Sequence, residues 1–227
     1  MNRIESPTSP WLVWQVIDSA FPVGGFAHSG GLEAAVQLGY VTDAASLEAF
    51  LHVCLSQTAQ FAAPFVAAVV QAPGEFDDLN ARYDTLLVND PANRASRALG
   101  AAVLAAGETV VLDGEVAAVR EAVRQRRGFA HLPLSFGLLS RSVGLNEAAA
   151  VDAFLFQQAR GLLSAAVRLG VVGPMESQRM LAGLADHRDR WNALALQTTP
   201  DSAAQTAPLL DLLQSLHERL YSRLFNS

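Results

Sequence analysis

The residues of this chain that could carry out chemistry are few and widely spaced. Its five histidines are scattered along the sequence, at His28, His52, His131, His187 and His217. None belongs to an HxxxH, HExxH or ExxH arrangement, and Cys54 has no second cysteine with which to bind zinc. His52 and Cys54 are two positions apart, so their side chains point apart on a helix and cannot form a nucleophile and its base. The sequence therefore predicts no metal site, no cofactor and no catalytic residue, and the chain is not expected to be an enzyme.

The charged residues exclude further classes of function. All sixteen positively charged residues are arginines, and the formal net charge is −6. The absence of lysine excludes Schiff-base chemistry, a lysine general base and the lysine of a P-loop. An acidic chain is also unlike a nucleic-acid-binding domain, which is usually basic. Arg94 and Arg97 lie three positions apart on one predicted helix face, which we interpret as a solvated surface.

A glycine-rich stretch, FPVGGFAHSGGLE, occupies residues 21–33. Its glycines suggest a phosphate-binding loop, but neither GxxxxGK[ST] nor a GxGxxG after a strand is present. Glycine and proline instead predict a shaped turn. Ser29 is predicted to cap a helix that runs from about Gly30 to Gln37, with Gly39 as its left-handed end. We expect this turn to position one helix and to present a surface.

Hydrophobic periodicity predicts an all-α fold, a bundle of roughly nine or ten helices without a significant sheet. One domain over residues 1–227 is the simplest organisation. The apolar segment from Leu47 to Val70 contains Pro64, which should kink or divide it. The stretch from Thr109 to Leu112 has strand propensity but no evident partner strand, so its structure stays open. The segment from Glu147 to Leu169 is expected to be the central helix.

No apolar run is long enough to span a bilayer, and no secretory signal precedes the first helix. The lone Cys54 among apolar neighbours suits a reducing compartment. We therefore expect a cytoplasmic protein with neither a membrane nor a nucleic acid as its partner.

The final segment is predicted to be a strongly amphipathic helix. Five leucines fall on one stripe, flanked by His217 and Tyr221: Leu209, Leu213, Leu216, Leu220 and Leu224. The chain then ends close to the apolar pair Leu224 and Phe225, whereas chain termini are usually polar and mobile. We expect either the core or a partner protein to cover this end.

Several short blocks along the chain resemble the urease accessory protein F family. They are Pro22–Phe26 with His28, Ser29 and Gly31–Glu33; Ser96, Arg97, Leu99 and Gly100; His131, Pro133, Phe136 and Gly137; Ala166–Gly170; and His217, Glu218 and Leu220–Phe225. The blocks span nearly the whole chain, and the terminal YSRLF is their most specific part. Each block is weak on its own, but together they are typical of this family.

The resemblance implies a protein without catalytic activity that assembles others. Members of the family dimerise, bind urease accessory protein D (also called H) and recruit the GTPase accessory protein G. The assembly delivers nickel into apo-urease, so nickel is its cargo. The resemblance thus implies a homodimer with these three partners.

The resemblance also assigns roles to particular residues. The C-terminal residues are expected to dock on the D/H-type partner and to become ordered there, Arg223 through hydrogen bonds and Phe225 as an apolar anchor. The partner-binding set comprises Phe26, His28, Glu33, Tyr221, Ser222, Arg223, Leu224 and Phe225. Phe154 and Phe156, on the central helix, resemble the family's dimer contact.

Two other functions stay open. One is direct activation of a GTPase, with Arg94, Arg97 or Arg223 as an arginine finger. The other is an enzyme built on a helical bundle and acting on a small apolar substrate. A close cluster of titratable groups would favour that enzyme.

Overall fold

A computed structural model describes residues 9–21, 28–111 and 114–226 of the chain. These residues form twelve α-helices and no strand, which confirms the all-α prediction. The helices are α1 Pro10–Ile17, α2 Leu32–Gln37, α3 Ala44–Gln60, α4 Ala63–Gln71, α5 Phe76–Leu86, α6 Asp90–Val111, α7 Gly114–Gln125, α8 Leu132–Ser142, α9 Glu147–Arg168, α10 Pro174–Leu184, α11 Arg188–Gln197 and α12 Pro208–His217.

Helices α4, α8 and α9 lie at the centre of the fold, and α6 packs along α8. Small residues allow the close approaches. A Cβ atom at Gly137 of α8 would lie 2.7 Å from the Val66 carbonyl oxygen of α4. A Cβ atom at Gly100 of α6 would collide with the backbone of Ala130 and His131, just before α8. The buried apolar side chains form one cluster that extends from Val16 to Phe225.

Pro64 divides the long apolar segment, as the sequence predicts. Helix α3 ends at Gln60, and α4 begins at Ala63 with the proline in its first turn, where a missing N–H costs no hydrogen bond. Together, Ala44–Gln71 form one stretch that passes a membrane-span test by length and composition, with a mean hydropathy of 1.5. The expectation that no run is long enough is therefore wrong by that test. However, 61% of the apolar 18-residue window in this stretch is buried inside the protein, as is usual for a core helix.

The open stretch near Thr109 is helical, because α6 continues to Val111. Thr109 donates its hydroxyl to the Ala105 carbonyl oxygen within that helix. One helix, α11, falls where the periodicity predicts none. It is held by Trp191, whose indole N–H donates to Ser56, and by Asn192, which donates to the Ala148 carbonyl and to Asp152.

The predicted leucine stripe of the last helix is confirmed at Leu213, which is buried, but is wrong at its two ends. The buried side chains of α12 are Leu210, Leu213 and His217, whereas Leu209 and Leu224 are about half exposed. The helix ends at His217, so helical spacing does not extend to Leu224. His217 is in the core, not on the flank of the stripe.

Candidate functional site

The C-terminal segment (residues 221–226) follows α12 as a tail with bends and without regular secondary structure, and it lies against α2. The Gln37 side chain, at the end of α2, donates to the Ser222 carbonyl oxygen at 2.9 Å. The backbone N–H groups of Leu224 and Phe225 donate to the Glu33 carboxylate at 2.6 and 3.2 Å. The first and last turns of a six-residue helix thus hold the end of the chain.

Glu33 is 2% exposed and therefore needs partners, since a buried carboxylate is costly unless it is hydrogen-bonded. Besides the two N–H groups, its Oε2 lies 2.8 Å from Nε2 of the buried His217. Its own backbone N–H donates to the Ser29 hydroxyl at 3.4 Å. Ser29 thus serves the start of α2 as predicted, although the N-cap residue is Gly31, with φ +89°.

His217 has a buried Nδ1 without a hydrogen-bond partner among the described residues. His28 lies close enough for the two imidazoles to interact, and burial, followed by the charge of His217, lowers the pKa of His28. Phe26, predicted beside His28, is outside the described residues. The partner of His217 is thus Glu33, 184 positions earlier, and not the adjacent Glu218. No local spacing could have predicted that pair.

The structure divides the predicted partner-binding residues into exposed and buried groups. Tyr221, Ser222, Arg223 and Leu224 are exposed, and Tyr221 is fully so. Phe225 is 5% exposed, and the Arg168 guanidinium lies 4.2 Å from the centre of its ring. Phe225 therefore anchors the tail in its own chain and offers no surface to a partner. Glu33 is likewise covered, so burial in this chain speaks against a direct partner contact by either residue, and the contact stays a prediction.

The two residues of α9 that are predicted to form the dimer contact also differ in burial. Phe154 is 2% exposed and packs against Phe136 with ring centres 5.4 Å apart, so it belongs to the core. Phe156, two positions on, is 42% exposed. Next to it, Gln157 and Arg160 donate to the carbonyl oxygens of Val16 and Ile17, which fastens α1 to α9.

A second polar cluster has the residue types of a catalytic triad. His131 lies 3.1 Å from both the Ser96 hydroxyl and the Asp84 carboxylate. Ser96 also lines a cavity of about 640 Å³. However, burial lowers the pKa of His131 to about 4 despite the opposing effect of Asp84, so the imidazole is a weak base. The Ser96 oxygen already accepts the Leu132 N–H at 3.2 Å. We interpret this cluster as a structural network.

Two of the three candidate arginine fingers are already occupied. Arg94 forms ion pairs with Asp90 and Glu218. Arg97 binds Asp84 and stacks on Phe129, its guanidinium 3.8 Å from the ring centre. Arg223, in contrast, forms no ion pair with any described residue and is exposed. The interpretation of Arg94 and Arg97 as simply solvated is therefore incomplete, because both help to fix neighbouring helices.

The other histidines also come together, although they are scattered in the sequence. His52 and His187 pack edge to face with ring centres 4.4 Å apart, beside Trp191. Burial, followed by the charge of His187, lowers the pKa of His52. Within residues 9–21, 28–111 and 114–226, no group of three or more His, Cys, Asp or Glu side chains is arranged to hold a metal ion.

Comparisons with known proteins agree with the resemblance in the sequence. The family model described as UreF matches residues 41–185. A urease accessory protein F of Arabidopsis thaliana is 34% identical over 232 residues, which cover 100% of this chain and 96% of the relative. One of Oryza sativa subsp. indica is 33% identical over 96% of this chain and 85% of the relative. Urease accessory protein UreF of Arthrobacter sp. (strain FB24) is 30% identical over 94% of this chain and 95% of the relative. The chain therefore belongs to the UreF family of urease accessory proteins.

Proposed function

We propose that this chain is a non-catalytic assembly factor of the cytoplasm that helps to insert nickel into apo-urease. It forms a homodimer, binds the D/H-type accessory protein and brings the GTPase accessory protein G to that complex. Family membership supports the pathway, since relatives matched along nearly their whole length are named urease accessory proteins.

The observation that carries the docking role is the exposed part of the C-terminal segment. Tyr221, Arg223 and Leu224 project from a tail whose backbone is fixed by Glu33 and Gln37. Tyrosine and arginine are enriched among residues that dominate protein interfaces. A fixed backbone also reduces the conformational entropy that such side chains lose on binding.

Removal of residues 221–227 is expected to abolish co-purification with the D/H-type partner. Because the truncation also deletes the buried Phe225, it can loosen α2, so the point variants Tyr221→Ala and Arg223→Ala are the sharper test. Both residues are exposed, and we expect each variant to keep its melting temperature while its affinity for the partner falls tenfold or more. Arg179→Ala, a change at an exposed arginine of α10, is the matched control and should bind normally. Full complex formation by the truncated protein would contradict the docking role.

Direct activation of the GTPase is favoured at one residue, because Arg223 is the exposed candidate without an ion-pair partner among the described residues. The same Arg223→Ala variant separates the two functions. Normal assembly with slow GTP turnover would favour an arginine finger, whereas lost assembly would favour docking.

A further inference from the structure

The carboxylate of Glu33 collects three donors from the last eleven residues of the chain. Oε1 accepts the Leu224 N–H, and Oε2 accepts the Phe225 N–H and lies within hydrogen-bonding distance of His217 Nε2. Glu33 itself is in the first turn of α2, about 190 positions away from these donors. A single side chain thus fixes the place where the tail meets the fold.

The geometry explains why the exposed residues of the tail face outward. The backbone bends at Leu224 and Phe225, so that two consecutive N–H groups face the same carboxylate. With both N–H groups fixed on Glu33, Phe225 enters the core beside Arg168 and Leu224 stays about half exposed. Loss of these two bonds would release the backbone that holds Phe225 in the core and Leu224 at the surface. Glu33 thereby determines which face of the tail a partner meets.

We infer that Glu33 is a positioning residue for partner docking, acting through the C-terminal segment although it is itself inaccessible to a partner. His217 binds the same carboxylate oxygen as the Phe225 N–H and so helps to orient the carboxylate toward the tail. The inference rests on the proposed docking function of residues 221–226. It replaces the expected ordering on the partner with an arrangement by contacts within this chain, before any partner is bound.

The substitution Glu33→Gln tests this inference with almost no change in volume. The amide nitrogen of glutamine cannot accept a hydrogen bond, so at least one donor among Leu224, Phe225 and His217 loses its acceptor. The remaining bonds lose the contribution of the negative charge, which makes such bonds roughly twice as strong as neutral ones. Glu75→Gln is the matched control, because Glu75 is exposed beside the start of α5.

The experiment uses the full-length chain and two measurements. Residue-resolved hydrogen exchange follows the amides of Leu224 and Phe225, and equilibrium binding follows the purified D/H-type accessory protein. In Glu33→Gln we expect both amides to exchange at least tenfold faster and the affinity to fall at least tenfold. Glu75→Gln should change neither. If Glu33→Gln does not fold, Glu33→Asp provides the second variant. It keeps the negative charge but shortens the side chain by one methylene. We expect faster exchange and weaker binding again, with smaller changes in both.

The outcomes separate the inference from the proposed function. Unchanged exchange of the two amides would overturn the inference and leave the docking function intact. Faster exchange with unchanged affinity would also overturn it, provided that Arg223→Ala and removal of residues 221–227 still abolish binding. If neither of those changes affects binding, the docking function itself fails.

Discussion

At the scale of single residues, burial determines what His131 can do. The imidazole is fully buried between Asp84 and Ser96, and burial lowers its pKa to about 4. Asp84 has a lowered pKa too: burial alone would raise it, but hydrogen bonds from Arg97, Asn93 and His131 outweigh that effect. The pair is therefore a neutral histidine against a carboxylate, a structural arrangement that contributes to stability.

The low pKa of His131 predicts a dependence of stability on pH. The unfolded chain binds a proton at this residue below about pH 6.5, whereas the folded chain does so only below about 4. Stability is therefore complete above pH 7 and falls by up to about 3 kcal/mol as the pH decreases from 6.5 to 4. The lowered pKa values of His28 and His52 act in the same direction. Urea denaturation between pH 4 and 7.5 measures the slope.

The variant His131→Gln isolates this contribution. We expect it to be less stable at pH 7.5, by roughly 1–3 kcal/mol, because Asp84 and Ser96 lose a buried partner. We also expect a clearly shallower loss of stability between pH 6.5 and 4. A variant that kept the full slope of the wild type would show that another group titrates in this window.

Sequence alone could indicate which residues matter at this scale but not where their side chains lie. Family blocks single out Glu33 and Phe225, yet only the fold shows that both are buried and that they bind each other. Phe154 and Phe156 point to different faces of one helix, and periodicity does not show which face is covered. The site joins α2 to the C-terminal residues, which are about 190 positions away in the sequence. No motif spacing therefore describes the site.

At the scale of elements, sequence-based reasoning succeeded where the signal was local. Pro64 divides the apolar segment because proline cannot donate within a helix, and that effect needs no tertiary partner. The β-branched stretch at Thr109 was ambiguous for the opposite reason. Its strand propensity is weak compared with the packing of α6 on α7 and α8, so tertiary contacts determine its structure.

The crossing of α6 with the segment before α8 depends on Gly100. An added Cβ would lie 2.6 Å from the His131 carbonyl carbon and even closer to the Ala130 carbonyl oxygen. Because these are backbone atoms, they cannot rotate away, and we expect Gly100→Ala to destabilise the fold by about 3 kcal/mol or more. Gly161→Ala is the matched control within α9, since its Cβ would meet no atom within 4 Å. That change should stabilise the protein by roughly 0.5–1 kcal/mol.

Thermal and denaturant unfolding of the two alanine variants measures this contrast. Equal stability of Gly100→Ala and the wild type would mean that α6 does not approach the backbone of Ala130 and His131 this closely. In that case the Ser96–His131 contact, which spans the same crossing, should also be absent.

At the scale of the whole molecule, two exposed apolar surfaces lie at different places on the fold. One is the tail with Tyr221 and Leu224. The other involves α1 and α9, where Trp11, Trp14 and Phe156 are exposed and where α1 is fastened to α9 by Gln157 and Arg160. Large exposed aromatic side chains in one region are typical of interaction sites. Under the proposed function, one of these surfaces would bind the second copy and the other the D/H-type protein.

The dimer proposal predicts that Phe156→Asp yields a monomer. A carboxylate at an apolar contact must lose much of its water, whereas on an isolated protomer it stays solvated beside Arg160. We therefore expect light scattering after size-exclusion chromatography to show halved mass and circular dichroism to show unchanged helix content. Val88→Asp, at an exposed apolar residue between α5 and α6, should remain dimeric.

Phe154→Ala should instead cost about 3–5 kcal/mol of stability, because that ring is in the core. A wild-type chain that is monomeric at high concentration would refute the homodimer, and a dimer that survives Phe156→Asp would place the contact on another face.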